Sequence, residues 1–380
     1  CAINNQIVTK VTNRMELSRR CVRRGCQETS RRVIDLAGGP RSDDRFTADS
    51  SSITGYESGM TSRPVPTYDD VLAAEQRIRP HIHRTPVLTS KYFDTLSGAR
   101  LFFKCENLQK TGAFKARGAV NAVFSLSDTQ AAKGVATHSS GNHGQALCYA
   151  AARRGIAATV VMPNTAPAAK KAAVHAYGGT IIECAPTMAS REATLKRELV
   201  TTGADLVHPY NDARVIAGQG TCAKELIEDC GPLDAVIAPI GGGGLISGTC
   251  LTIATIAPEV SVYGTEPAEA DDALRSLKAG HIITEDAPET IADGLKASLK
   301  ELTWYFVSRH VADIFTATED EIVEAMRLVW ERMKIVIEPS SAVTVAAVLK
   351  NRPAFAGSRI GVILSGGNVD LDRLPWQQNH

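Results

Sequence analysis

From residue 101 onward, short apolar runs alternate with segments whose apolar residues recur every three or four positions, the pattern of strands followed by helices. It predicts strands over 101–104, 134–138, 158–162 and 180–184, and helices over 116–126, 143–154 and 166–177, the last closed by Gly178-Gly179. Farther on, a helix is expected over 191–199, strands over 235–240 and 261–265, and a last strand over 359–364 that ends at Ser365. Short apolar strands interleaved with helices argue for an α/β fold whose parallel sheets are covered on both faces. Upstream, 71–78 is the first convincing helix, capped by Pro66-Thr67-Tyr68-Asp69-Asp70.

Residues 1–66 break this rhythm. The first 32 carry one Lys and seven Arg against two Glu, and Ser, Asp and Gly dominate after them. Without apolar periodicity the segment is expected to be disordered, and Met60 would be a sensible start for a chain whose first helix is capped at 66–70. An Arg- and Ser-rich leader also fits an organelle transit peptide, a reading weakened by acidic residues at 35, 43, 44, 49 and 57.

Composition then narrows the partners. A chain of 380 residues, 44% hydrophobic and 22% charged, can build two domains around a buried core. Its net charge of +1 supplies no basic field for nucleic acid, and its longest apolar runs, such as 234–240, are strand-sized and cannot span a membrane. Nine cysteines without a Cys-x-x-Cys pair fit reduced, mostly buried thiols, so the cytoplasm is the expected location.

Four motifs carry candidate chemistry. In Lys110-Thr-Gly-Ala-Phe-Lys115-Ala-Arg-Gly118 a lysine stands directly before a helical run, with Phe114 to shield it. Partial desolvation lets a lysine amine lose its proton and attack an aldehyde. Ser139-Ser140-Gly141-Asn142-His143-Gly144 precedes the next helix and could simply cap it. Gly241-Gly-Gly-Gly244 follows an apolar strand and opens a helix, where backbone N–H groups can converge on a phosphate. The run lacks both the spacing of a nicotinamide fingerprint and the lysine of a P-loop. Ser365-Gly366-Gly367-Asn368 reads by itself as a tight turn after the final strand.

Together, over about 68–374, these motifs resemble the pyridoxal-phosphate site of the tryptophan-synthase-β type fold (PLP fold type II), in the branch of serine racemases and serine/threonine dehydratases. The resemblance implies a large cofactor-binding domain, 67–133 and 211–380, interrupted by a small domain at 134–210, with the cofactor in the cleft between them. It implies that Lys115 carries the aldehyde as a Schiff base and then acts as base at Cα, with Ser140 serving the opposite face. Gly241, Gly242, Gly243 and Gly244 would hold the phosphate, Ser365 the ring nitrogen and Asn142 the ring hydroxyl, while Phe114 packs by the ring. Ser139, Ser140, Asn142, His143, Arg191 and Ser298 are the implied substrate contacts, although His143 reads first as structural.

Dehydratases of the branch often lack a hydroxyl where Ser140 stands. The expected activity is therefore interconversion of L- and D-serine, with β-elimination of serine to pyruvate and ammonia. A dedicated L-serine/L-threonine dehydratase, a racemase or dehydratase directed at aspartate or 3-hydroxyaspartate, and a non-catalytic PLP-binding sensor or scaffold are the alternatives.

The loop 266–272 resembles the divalent-cation loop of eukaryotic serine racemases. That implies Glu266, the Ala270 carbonyl and Asp272 as ligands for Mg²⁺, or for Mn²⁺ or Ca²⁺. The branch can also bind ATP as an effector at a homodimer interface, which here would involve Ser90, Lys91, Tyr92, Lys110, Thr111, Gln145, Tyr177, Lys334 and Asn368. One departure bears on this: Leu72 stands where animal serine racemases carry an acidic residue. The expected partners are a small amino-acid substrate and a second copy of the chain.

Overall fold

The computed structural model describes residues 65–377 apart from Ser140 and Pro167. The expected N-terminal extension lies, up to residue 64, outside the described residues, and so does Ser140.

In chain order the described strands are β1 (Val87–Leu88), β2 (Arg100–Cys105), β3 (Val135–His138), β4 (Ala158–Pro163), β5 (Thr180–Cys184), β6 (Asp205–Leu206), β7 (Ala235–Pro239), β8 (Ser261–Pro267), β9 (Val311–Ala317) and β10 (Arg359–Leu364). They form a six-stranded sheet in the order β1-β2-β10-β7-β8-β9 and a four-stranded sheet in the order β5-β4-β3-β6. Every pairing is parallel except β1 with β2. The last strand sits mid-sheet, with Ile360 opposite both Leu101 and Ala235.

Central parallel strands need apolar residues on both faces, which is why β7 reads Ala-Val-Ile-Ala-Pro without a polar break. Its Ile237 enters a core with Phe103, Val343 and Val362. Its neighbour Val236 points the other way, among Ile216, Leu226, Ile246 and Ile363. In the smaller sheet, Val135 and Val160 pack on Leu147 and Ala150 of the helix Asn142–Arg154, while Ala136 and Val161 face Leu195.

Element boundaries follow local chemistry. The first helix starts at Tyr68, three residues before the expected 71, because the Thr67 backbone N–H and hydroxyl both donate to Asp70 Oδ2, at 2.8 and 2.9 Å. The helix expected over 116–126 runs Lys115–Phe124, so the lysine is its first residue. The strand expected from 134 begins at Val135, since Gly134 has φ +78°.

The helix Lys115–Phe124 is tied down by a buried charge network. Arg117 donates to Glu106 and Glu225, each at 2.7 Å, and Lys104 donates to the same Glu225 oxygen at 2.7 Å and to the Thr85 carbonyl at 2.8 Å. Cys105, Cys148, Cys184, Cys222 and Cys250 are free and buried, as the scattered cysteines suggested. Among the described residues no helix is long and apolar enough to cross a membrane.

Candidate active site

The turns that follow β3, β7 and β10 meet around Lys115, where ligands commonly sit in parallel sheets. The Phe114 N–H donates to the Ser365 carbonyl at 3.0 Å, and Ala113 bridges to Gly366. This fixes the start of the lysine helix against the end of β10. The Lys115 ammonium donates to the Pro209 carbonyl at 2.9 Å and lies 5.0 Å from the centre of the Phe114 ring. Burial brings its pKa down to about 8, against a smaller upward pull from Glu338. About a tenth of this amine is uncharged at pH 7, far more than for an ordinary lysine.

Beside it lies the glycine run. Gly241 to Gly244 are buried, yet their four amides have no hydrogen-bond acceptor among the described residues. Buried N–H groups are seldom left unpaired, and these open the helix Gly244–Ile256, where partial positive charge gathers. The donor set suits a phosphate. Glycine is required for packing as well: a Cβ on Gly242 would fall 2.3 Å from the Tyr210 ring, and one on Gly241 2.8 Å from Leu295 Cα. Gly243 has φ +86°. Ser365, 2% exposed, closes the same region at the end of β10.

Glu338 belongs to this site and was not singled out from the sequence, where it reads as the residue ahead of the helix Pro339–Lys350. Its carboxylate accepts two hydrogen bonds from Asn142 Nδ2, at 2.9 and 3.1 Å, and one from the Asn368 N–H at 3.1 Å. Burial, with help from Asp293, raises its pKa to about 7 despite those donors. A Glu-Pro pair at a helix start was the available signal, but only the fold puts it beside Lys115.

The other expected residues separate into groups. The Ser139 hydroxyl accepts from the Gly141 N–H at 3.3 Å, holding the turn before the helix Asn142–Arg154. His143 Nε2 lies 3.1 Å from the Val207 carbonyl, and burial followed by the Lys115 charge drives its pKa to about 3; its Nδ1 is buried without a partner. Arg191, near the start of the helix Met188–Thr202, has a buried Nε without a partner. The Ser298 hydroxyl accepts from the Glu285 N–H at 3.0 Å and hydrogen-bonds Asp272.

Glu266 and Asp272 are both buried, and Glu266 accepts from the Ala273 and Leu274 N–H groups at 3.1 and 2.8 Å. Burial raises both carboxyls, and the Asp272 charge raises Glu266 further. Asp272 Oδ2 has no partner. Two facing buried carboxylates with a bare oxygen suit a divalent cation. Among the described residues no cluster of three His, Cys, Asp or Glu could hold a metal, so a cation here would depend on the Ala270 carbonyl and water.

Of the residues expected around a nucleotide, Thr111 and Lys334 are the two non-glycine residues with positive φ, at 59° and 60°, among the described residues. Asn368 Nδ2 donates to the Thr111 carbonyl at 2.7 Å and to Asn142 Oδ1 at 2.9 Å, which joins that group to the lysine site. Lys110 belongs to the same turn, and Gln145 lies one turn into the helix of Asn142. Ser90 precedes the helix Lys91–Ser97, in which Tyr92 sits 4.7 Å beneath the Arg332 guanidinium. Tyr177 packs edge-on against Tyr149.

Comparison with known proteins agrees with this geometry. Residues 78–366 match the family described as "Pyridoxal-phosphate dependent enzyme". The chain is 64% identical over 312 residues to a β-hydroxyaspartate dehydratase of Paracoccus denitrificans (strain Pd 1222), covering 82% of this chain and 99% of that protein. It is 53% identical over 306 residues to a serine racemase of Arabidopsis thaliana, covering 79% and 92%. The crystal structure of the Dictyostelium discoideum serine racemase superposes with a TM-score of 0.78 at 48% identity, covering 81% of this chain and all of that one. With a lysine amine of lowered pKa beside a cradle of unpaired glycine amides, the chain belongs to the pyridoxal-phosphate dependent enzymes, in the branch that holds serine racemases and hydroxy-amino-acid dehydratases.

Proposed function

We propose that this protein eliminates water from a β-hydroxy amino acid, with racemisation at Cα as an accompanying reaction. The observation that carries the reading is Lys115: an amine with pKa about 8, held by the Pro209 carbonyl beside the glycine cradle. When bound, pyridoxal phosphate supplies an electron sink that acidifies the α-hydrogen of an amino acid. The Gly241–Gly244 amides would hold its phosphate, Ser365 its ring nitrogen, Asn142 its ring hydroxyl and Lys115 its aldehyde carbon, with Phe114 alongside the ring.

Lys115 then takes the Cα proton, which its depressed pKa suits near neutral pH. The Ser139–Asn142 turn orients the substrate's α-carboxylate. Elimination asks for a base on one face only, and Lys115 provides it. Racemisation asks for a second proton donor on the other face, a task that falls to Ser140. The dehydratase and racemase relatives support this division, since the two reactions share their first proton transfer.

The test is one assay with two products. Protein with L-serine or 3-hydroxyaspartate should release a keto acid and ammonia, and L-serine should also give D-serine. The protein should absorb at roughly 410–420 nm and, after borohydride, carry the cofactor on Lys115. Ser140→Ala should lose D-serine formation while keto-acid release survives in part. Cofactor trapped on another lysine, or no keto acid from either substrate, would overturn the reading.

A further inference from the structure

Two adjacent lysines on the helix Ala168–Ala176 have partners in different layers. Lys171 stays within its own, donating to Glu183 of β5 at 2.6 Å and to the Asn164 carbonyl at 3.0 Å. Lys170 crosses over and donates to Asp293 Oδ2, an ion pair that proton removal at Cα does not use. Asp293 opens the short turn Asp293–Leu295, which is fastened to the six-stranded layer. The Gly294 N–H donates to Ser340 Oγ at 2.9 Å, and just upstream the Ile291 N–H donates to Glu319 Oε2 at 2.8 Å. Leu295 then enters the core shared by Phe103, Ile237 and Val343.

Both ends of the pair lead to the site. A Cβ on Gly241 would fall 2.8 Å from Leu295 Cα and 3.0 Å from the Gly294 carbonyl, so the turn of Asp293 forms a wall of the glycine cradle. On the other side, Val174 of the lysine helix shares a core with Leu147 and Ala150 of the helix Asn142–Arg154. Lys170 therefore moves with the layer that carries the Ser139–Asn142 turn. The contact of Asn142 with Glu338 joins the same two layers with a buried carboxylate. Lys170 and Asp293 differ in keeping 32% and 49% of their side chains exposed, where salt weakens an ion pair.

We infer that Lys170 and Asp293 are a positioning pair, whose contact holds the Ser139–Asn142 turn at its working distance from the Gly241–Gly244 cradle and so sets the affinity for the amino acid. The inference rests on the proposed function for what that turn binds. Neither side chain reaches the reacting atoms, and Lys115 keeps its own contact with the Pro209 carbonyl when the pair is broken. Without the pair, a larger share of molecules has the turn and the cradle out of register. Binding then draws on a smaller competent fraction and the apparent affinity falls by that fraction, whereas the saturated enzyme works at its full rate.

Lys170→Gln, Asp293→Asn and the double variant test the pair in the cofactor-loaded protein. L-alanine has no β-hydroxyl to lose, so its dissociation constant can be read from the change it causes in the cofactor absorbance. Each single change should weaken L-alanine about threefold to fivefold, and the double variant should be no worse than either. The KM for L-serine should rise in step, with kcat held within about twofold. Lys170→Arg should keep most of the affinity, and the exchanged pair, Lys170→Asp with Asp293→Lys, should recover part of it. At about 1 M salt the wild type should approach the variants. Losses that add in the double variant, or a fall in kcat with unchanged affinity, would overturn the positioning role. Weaker L-alanine binding in the variants, without keto-acid release from any substrate, would uphold the pair and sink the elimination reading instead.

Discussion

Asn142 donates its side-chain amide to both carboxylate oxygens of Glu338, at 2.9 and 3.1 Å, and this pair joins the two sheets directly behind Lys115. Asn142 opens a helix of the four-stranded layer, whereas Glu338 precedes a helix packed on the six-stranded one. The carboxylate also helps to keep the Lys115 amine protonated, so it opposes the effect of burial.

Glu338 has a testable signature in pH. Its folded-state pKa is near 7 against an ordinary 4.5, so the native state binds more protons across that window. Its contribution is fully present below about pH 4.5 and is lost as the pH rises through 7. Compared with Glu338→Gln, the wild type should lose about 3 kcal/mol more stability between those limits, read as the difference between urea melts. Parallel curves for the two proteins would mean that the carboxyl titrates normally. The same variant, having no charge to lift Lys115, should capture pyridoxal phosphate half-maximally at a lower pH than the wild type.

Gly242→Ala tests the cradle. The added methyl meets the Tyr210 ring at 2.3 Å, and overpacking of this kind costs about 1–3 kcal/mol. Retention of cofactor should fall at least about tenfold, as followed by absorbance after dialysis. Tyr210→Ala in the same background should recover part of it, because the clash is with that ring. Unchanged retention in Gly242→Ala would remove the close-approach argument.

The buried pairings of Arg117 predict a large stability effect from a residue with no part in the proposed chemistry. Arg117→Ala leaves Glu106 and Glu225 with Lys104 as their one remaining buried cation, and breaking such a set costs about 3–5 kcal/mol. A loss below about 1 kcal/mol in denaturant melts would place the network among the near-neutral ones.

For the acidic loop, chelator should lower the melting temperature and Mg²⁺ or Mn²⁺ should restore it, by about 2–3 kcal/mol at a hundredfold excess over the dissociation constant. Asp272→Asn should melt like the chelated protein and ignore added metal. A wild type indifferent to chelation would make Glu266 and Asp272 a pair sharing a proton, which their raised pKa values allow.

Seven of the ten described strands were legible because they are short, mostly apolar runs between helical segments, whereas the two-residue β1 and β6 and the edge strand β9 were not singled out. β5 and β10 match their expected ranges to the residue. Boundaries slipped where a hydrogen bond decided them, as at Thr67 with Asp70. The position of Lys115 as the first residue of its helix depends on the contact of Phe114 with Ser365, which is separated by hundreds of residues in sequence and invisible there. Lys115 and the glycine run could be found because their chemistry is local. Glu338 could not, since nothing in Ile337-Glu338-Pro339 announces that Asn142 will arrive from the other layer. The partners of Ser298, the Glu285 N–H and Asp272, were likewise invisible in sequence.

The network of Lys104, Glu106, Arg117 and Glu225 also sets how this sequence can change over generations. Four charges sealed from water balance one another, so each is tolerable only while the other three remain. A lineage cannot drift at one of these positions without first losing much of its margin of stability. Replacement of the whole set by apolar residues lies across a valley that single substitutions do not cross. The lysine two residues before Arg117 is thereby anchored by positions that have no part in its reaction, and the freedom of the fold to diversify is pushed outward, to exposed residues that can vary one at a time.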